Sequence, residues 1–588
     1  MPRLGVNIRA REVYRYGLFA VLLAVLLVFL IWPIALTVRG GFRTPGGEWT
    51  LRYILLVFQD PVLVQGLGNS LMIAVLTTFG ALLLAMPLAV LAARYDFPGK
   101  AVVTGLVLVP LILPPFVGAI GMQALLGRAG AVNALLMNLG LLDPAEPGID
   151  FLGGAVGGRF WGVVVMQALH LYPILYLNVT AALANLDPTL EEAAQNLGAG
   201  RVRRFLRCTL PLTLPGIFAG TTLVFIWAFT ELGTPLMFDY YTVTPVQIFW
   251  GIQEIADSPR PYALVVVMLT VATACYLVGR FTLGRRAYAM ESKASIGATT
   301  RRLGGVRGGL ALGAFALVTA LAIIPHIGVV FSSFSVEGSW YRSVLPLEWT
   351  TSHYSEALRH EMAYQSIRNS LFYAVGAMLV AVSLGLAISY VVVRARVRGG
   401  WVLDTLAMLP LAVPGLVMAF GYVAMTLTWP FGEGHVFGWM FSVVGEAPNP
   451  VALLVIAYAI GRLPYVVRAT TAGLQQTSGS LEEAARNLGA GPMYAIRRVV
   501  VPLIMANMIA GGILVFSFAM LAVSESLVLA QTERFYPITM AIWMFFNRLG
   551  DGPYIASAMG VWGMALLTVT LVGASVLMGK RLGAIFRV

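Results

Sequence analysis

Residues 189–200 read TLEEAAQNLGAG, and residues 480–491 read SLEEAARNLGAG. Each half of the 588-residue chain carries one copy, which makes the phrase the mark of an internal duplication. Both copies are polar islands in a very apolar protein. Hydrophobic residues make up 59% of the chain and charged residues 11%, and mean hydropathy is +0.82. A soluble domain carries about 25% charged residues. This chain has long apolar runs instead, such as 16–33, 71–93, 310–325 and 561–578. Roughly 20 apolar residues wound as a helix match about 30 Å of hydrocarbon. The chain therefore reads as an all-α, polytopic membrane protein, with the repeated phrase outside the membrane.

The hydropathy pattern predicts about twelve spans, near 15–37, 66–94, 101–127, 160–186, 209–238, 262–284, 309–334, 366–394, 401–429, 449–475, 500–530 and 556–580. A net charge of +12 by itself could suggest nucleic acid, but its distribution argues against that. Alternate loops and both termini hold the basic residues, including Arg94 and Lys100, Arg201 to Arg207, Arg285, Arg286 and Lys293, Arg394 to Arg398, and Lys580, Arg581 and Arg587. The other loops hold Asp143, Glu146, Asp150, Asp239, Glu254, Asp257, Glu337, Glu433 and Glu446 with fewer basic residues. The positive-inside rule then puts both termini and both phrases in the cytoplasm, and an even span count agrees. The Arg-rich start before an apolar run resembles a signal peptide, but the run is too long for one and reads as an uncleaved first span. Cys208 and Cys275, one beside a phrase and one in a span, make no disulfide framework.

The duplication extends beyond the phrase. Asn69-Ser70-Leu71 recurs as Asn369-Ser370-Leu371, Pro110 and Pro114 as Pro410 and Pro414, Tyr172-Pro173 as Leu463-Pro464, and Pro211 as Pro502. The longer loop of the first half is 128–159, rich in Gly and acidic residues. Six spans per half is even, so the halves share one orientation and are related by an axis along the membrane normal. The expected layout is a first half over 1–284, a polar, basic cytoplasmic linker over 285–308, and a second half over 309–588.

Within each phrase, Thr189-x-x-Glu192 and Ser480-x-x-Glu483 read as capping boxes that start a short helix. Gly198 and Gly489 suit the left-handed stop that ends it, and Ala193-Ala194 and Ala484-Ala485 give it a thin face. Such a helix either rests on lipid headgroups or docks a partner. A twelve-residue polar phrase repeated at matched positions favours docking.

The spacing Glu-Ala-Ala, three residues, Gly, nine residues, then a segment ending in Pro resembles the EAA loop of ATP-binding-cassette importer permeases. It reads Glu192-Ala193-Ala194, Gly198, Cys208-Thr209-Leu210-Pro211 in the first copy, and Glu483-Ala484-Ala485, Gly489, Val499-Val500-Val501-Pro502 in the second. Cys208 and Val501 are mild departures from the pattern. The resemblance implies a fold of two parallel-repeat six-helix halves, as in type I importer permeases. It also implies two coupling helices, each seated on a cytoplasmic ATPase subunit, with Glu191, Glu192, Ala193, Ala194 and Gly198 forming one and Glu482, Glu483, Ala484, Ala485 and Gly489 the other. Glu192 and Glu483 are the expected coupling residues. The chain has no G-x-x-x-x-G-K-[ST] phosphate loop, so ATP and Mg belong to the partner ATPases and this chain binds no cofactor. The resemblance further implies an extracytoplasmic solute-binding protein and a place in the bacterial cytoplasmic (inner) membrane. Phe229-Thr230-Glu231-Leu232-Gly233-Thr234-Pro235 followed by Tyr240-Tyr241-Thr242-Val243-Thr244 resembles the ferric-iron permeases in particular, a group close to the thiamine, polyamine, phosphonate and sugar-phosphate permeases.

Ionisable groups in spans are costly and mark candidate pathways. Glu231 and Glu525 read either as residues of a solvated outer mouth or as a negatively lined passage. His170 and Tyr172 before Pro173, and Arg462 before Pro464, read either as packing around a kink or as a gate. Asn69-Ser70 and Asn369-Ser370 read as caps at span entrances. The Pro110/Pro114 and Pro410/Pro414 pairs break their spans, as static kinks or as moving elements. His353 and His360, with Glu356 and Glu361 nearby, match no tight metal template and read as a solvated loop, so no metal site is expected. An ion-coupled secondary carrier is the competing class, but it would need deep coupling carboxylates and no duplicated docking phrase. Five scattered His leave little basis for an intramembrane enzyme.

Overall fold

A computed structural model describes residues 2–153, 159–282, 301–445 and 447–578. Most of the expected linker, Glu446, and the C-terminal Lys580, Arg581 and Arg587 lie outside the described residues. Eleven described helices are long and apolar enough to span a membrane, or twelve if a pair bent by 107° counts as one span.

That bent pair is Gly400–Leu411 with Gly415–Met425, where one span was expected over 401–429. Its counterpart, expected over 101–127, is likewise broken into the helices Lys100–Leu106, Val109–Ile112 and Pro115–Leu126. The cause is local: Pro114 and Pro414 have no N–H for the fourth carbonyl back and force the preceding residue out of the helical region. Pro173 and Pro464 stay inside the continuous helices Phe160–Ala184 and Val451–Gln476. Arg201–Phe229 and Pro492–Met520 each contain a wide π-turn, Phe205–Thr209 and Ile496–Val500, just before Pro211 and Pro502. The extra residue absorbs the hydrogen bond that each proline cannot make. These two helices end earlier than expected. They give way to non-helical residues and then to the short helices Gly233–Met237 and Ser524–Leu529.

Within each half the second, fourth and fifth spans pack together: Pro61–Arg94 with Phe160–Ala184 and Leu210–Phe229, and Glu361–Ser389 with Val451–Gln476 and Val501–Met520. The first span of each half reaches into the other. Trp32–Gly41 packs on Gly415–Met425, and Gly305–Phe334 packs on Pro115–Leu126. Two glycines permit these crossings. A β-carbon on Gly421 would collide with the carbonyl of Pro33, and one on Gly121 with the carbonyl of Pro325. Small residues let helix backbones approach closely inside a bilayer, where packing rather than water exclusion drives association. The exchange is reinforced by Tyr422, whose hydroxyl donates to Phe29 O at 2.6 Å inside the π-turn Leu27–Ile31. Tyr262 meets Phe420 edge to face at 5.2 Å. Arg301–Arg302 pairs in parallel with Tyr95–Asp96, tying the described end of the expected linker to the loop after the second span.

The Asn-Ser pairs are not caps at span entrances. The spans start earlier, at Pro61 and Glu361, so both pairs lie inside helices. They cap other elements. Ser70 Oγ accepts from Thr244 N at 2.9 Å, and Ser370 Oγ accepts from Ile538 N at 2.7 Å. Asn69 donates to Thr242 O, and Asn369 to Arg534 O and Tyr536 O. Each pair thus holds the start of a short helix, Thr244–Gly251 or Ile538–Phe546. The two short helices meet across the halves through Phe249 and Trp543 at 5.9 Å.

Candidate functional site

The two repeated phrases form short helices at one end of the bundle, Pro188–Asn196 and Ser480–Asn487. Neither starts with a capping box. Asp187 is the first helix's cap and accepts from Thr189 N at 2.9 Å, which displaces Thr189 into the helix. The second starts at Gly479 with no side-chain cap. Both end on the expected glycine, with φ of 81° at Gly198 and 91° at Gly489. Ala199 N bonds Ala194 O and Ala490 N bonds Ala485 O, closing matching Schellman stops.

The two glutamates of each phrase have opposite roles. Glu191 turns inward to Arg94, at the end of the second span, and accepts from Thr209 Oγ1 at 2.5 Å. Glu482 is 6% exposed and accepts from Tyr390 Oη at 2.6 Å and from Arg486. Glu192 and Glu483 face outward. Beside them stand Leu197 and Leu488, 89% and 90% exposed, with Ala193 and Ala484 also exposed and Ala194 and Ala485 partly covered. Each helix is therefore anchored by its first glutamate and presents its second glutamate and a bare leucine. The anchors differ between halves: Arg394, which corresponds to Arg94, bonds Thr477 instead.

Between the halves lies a chamber of about 320 Å³. Pro114 and Pro414, the two helix breaks, line it together with Gln167, His170, Glu231, Arg462 and Glu525. Four of the five expected pathway residues thus converge. Tyr172 does not: it is buried, and its hydroxyl donates to Val107 O at 3.3 Å, a carbonyl at the broken span. His170 has a similar structural bond, Nδ1 to Pro110 O at 2.8 Å. Pro110 O is the carbonyl that Pro114 cannot serve, so the histidine takes up the bond lost at the break.

The chamber is asymmetric. In the second half Gly461 stands where the repeat has His170, and a β-carbon there would lie 3.6 Å from Glu525 Oε1. Glu525 occupies that room and binds Arg462 at 2.5 and 3.4 Å, both side chains being almost fully covered. Glu231 pairs with no arginine among the described residues; its Oε1 accepts from Gly233 N at 3.1 Å and Thr234 N at 3.3 Å. Gln167 was not singled out in the sequence. It is 2% exposed, and neither its Nε2 nor its Oε1 has a hydrogen-bond partner among the described residues. An unsatisfied buried polar group costs about 1–3 kcal/mol, and Gln167, unlike His170 on the same helix, is left with that cost at the chamber wall. The only signal for it in the sequence was its position one turn before His170.

No group of three or more His, Cys, Asp or Glu fit to hold a metal occurs among the described residues. His353 is not in a solvated loop. It is buried on the helix Ser352–Arg359, bonded to Ser335 O at 3.0 Å and stacked on Tyr554. His360 packs on Phe545. Cys208 and Cys275 are both free.

Two like halves of membrane-spanning helices around a largely apolar chamber with charged side chains in its wall have the build of a helical membrane transport protein. The family described as binding-protein-dependent transport system inner membrane component matches residues 85–286 and again 381–577, and the chain belongs to it. It is a multi-pass inner-membrane permease of an ATP-binding-cassette importer, a transport subunit rather than an enzyme, and its family membership implies ATPase and binding-protein partners. That sets aside the secondary carrier. The chain is 27% identical over 564 residues to the ferric transport system permease protein FbpB of Actinobacillus pleuropneumoniae, covering 92% of this chain and 75% of the relative. It is 26% identical to a putative ferric transport system permease protein of Haemophilus influenzae, covering 91% and 84%. A probable molybdenum ABC transporter permease protein of Haloferax volcanii is 34% identical over 269 residues, 45% of this chain and 90% of that relative. Among solved structures, a bacterial transporter involved in the import of the acidic polysaccharide alginate matches 48% of this chain at 20% identity, with a TM-score of 0.38.

Proposed function

We propose that this chain forms the translocation pathway of a ferric-iron importer working by alternating access. Both termini and both phrase helices are cytoplasmic in this reading. Each phrase helix seats one of two ATPase subunits, which carry ATP and Mg, and a solute-binding protein docks at the opposite end. Residues 1–284 and 309–588 act as two fused permease halves joined by a linker over 285–308. The observation that carries the iron assignment is the likeness to ferric permeases along more than nine-tenths of the chain. The chamber supports it: its wall holds two carboxylates against one arginine, and that arginine is already paired with one of them. The outward Glu192 and Glu483, each beside a bare leucine, support the docking role.

The test is uptake of radiolabelled ferric iron in cells lacking the gene, complemented with the native chain or with the Glu192→Ala/Glu483→Ala variant. Uptake restored by the native chain alone is expected. Equal uptake by both chains would remove the coupling role, and no uptake by either would remove iron. The second reading is an oxyanion cargo, favoured by the shorter molybdenum relative, and molybdate uptake is measured in the same cells. Phosphonate, sugar phosphate, thiamine and polyamine follow as further solutes.

A further inference from the structure

The chamber wall holds a buried polar side chain that bonds to nothing else among the described residues. Gln167 is almost fully buried on Phe160–Ala184, lines the chamber, and leaves both ends of its amide without a protein partner among the described residues. A glutamine serving the fold would bond a carbonyl or amide nearby, as His170 bonds Pro110 O one turn further along the same helix. Glu231 also lines the chamber; its Oε1 is fixed by two backbone N–H groups and no described salt bridge neutralises it. In the second half Glu525 is neutralised by Arg462. The second half does not repeat the first-half arrangement: 291 positions on, Tyr458 stands where the first half has Gln167 and Ala522 where it has Glu231.

We infer that Gln167 and Glu231 form a transient cargo subsite, built by the first half alone, that presents oxygen donors to a hard cation. This rests on the reading of the chamber as a ferric-iron path. The amide oxygen of Gln167 and the carboxylate of Glu231 are the donor types that hard, highly charged cations take. Two protein donors are too few for a tight chelate, in keeping with the lack of a larger ligand cluster among the described residues. A passage needs this weakness, because a site along a path must release its ion as readily as it binds it. The Arg462–Glu525 pair keeps the arginine from acting as an anion site, so the chamber discriminates by charge as well as by donor type.

The test uses the complete transporter, this chain with its ATPase and binding-protein partners, in proteoliposomes, with Gln167→Leu and Glu231→Gln variants. Leucine is close to glutamine in size and removes an unsatisfied amide, so a merely structural glutamine predicts a variant at least as stable as native. The subsite predicts that Gln167→Leu folds and keeps binding-protein-stimulated ATP hydrolysis, while ferric uptake per ATP falls about tenfold. Glu231→Gln, which keeps the shape and loses the charge, is expected to do the same. If the native transporter moves iron and both variants move it at the native ratio to ATP, the subsite is wrong and the iron path stands. If the native transporter moves molybdate and no iron, the iron reading and the cation subsite fall together.

Discussion

Glu482 and Glu483 are neighbours on one short helix, yet the first is buried and the second faces out. Removing each has a different expected result. Glu482→Ala strips Arg486 and Tyr390 of their shared acceptor and loosens the helix from the bundle, read as faster amide exchange over residues 480–487. Glu483→Ala leaves exchange as in the native chain and lowers ATPase stimulation; matching exchange profiles for the two variants would refute the division. The Arg462–Glu525 pair offers a second residue-scale test. Breaking a buried pair from one side costs about 3–5 kcal/mol, because a charge is left without its partner. Glu525→Gln is expected to lose that much in thermal unfolding of the detergent-solubilised protein, while Arg462→Met/Glu525→Gln recovers most of it. A double variant as unstable as the single one would show that the ion pair is not the source. Glu231 and Arg462 were legible in the sequence because a charge in an apolar run is conspicuous. Gln167 was not, since its significance lies in having no partner, which only the packed neighbourhood shows.

At the scale of elements, the first spans are held by backbone-to-backbone crossings at Gly121 and Gly421. Gly121→Val and Gly421→Val push a branched side chain against a carbonyl in the opposite half. Each is expected to destabilise by at least the 1–3 kcal/mol typical of overpacking, read as a lower unfolding temperature; an unchanged temperature at both sites would discount the crossings. The Asn-Ser latches are milder. Ser70→Ala and Ser370→Ala each remove one cap, costing about 1 kcal/mol, and the two are expected to add because they lie in separate halves. The span breaks at Pro114 and Pro414 were readable from proline chemistry alone. The span entrances were misplaced because helices in this protein continue past the apolar run, so Asn69 and Asn369 sit inside them rather than at their ends.

At the scale of the whole molecule, the phrase helices and the loop around Leu549 lie at opposite ends of the bundle. Leu197 and Leu549 are 89% and 94% exposed. In a Cys208→Ser/Cys275→Ser background, Leu549→Cys is expected to react with an impermeant maleimide in intact spheroplasts. Leu197→Cys should react only after lysis. The reverse pattern would invert the proposed topology. The exchange of first spans also makes each half incomplete alone, since Trp32–Gly41 finds its groove in the second half and Gly305–Phe334 in the first.

The number of spans, the duplication, the Schellman glycines and the importer class could all be read without coordinates. Each depends on interactions between residues close together in the chain: apolar runs long enough for a bilayer, a left-handed turn after a helix, a short phrase repeated. The direction of each glutamate, the exchange of first spans and the lopsided chamber could not. They depend on contacts such as Tyr422 with Phe29, separated by 393 positions, and on what fills the space left by a glycine in the opposite half. Two sequence repeats alike at the level of motif therefore fold into halves that pair their charges differently: Arg462 stands where the first half has Leu171, and Gly461 beside it where the first half has His170.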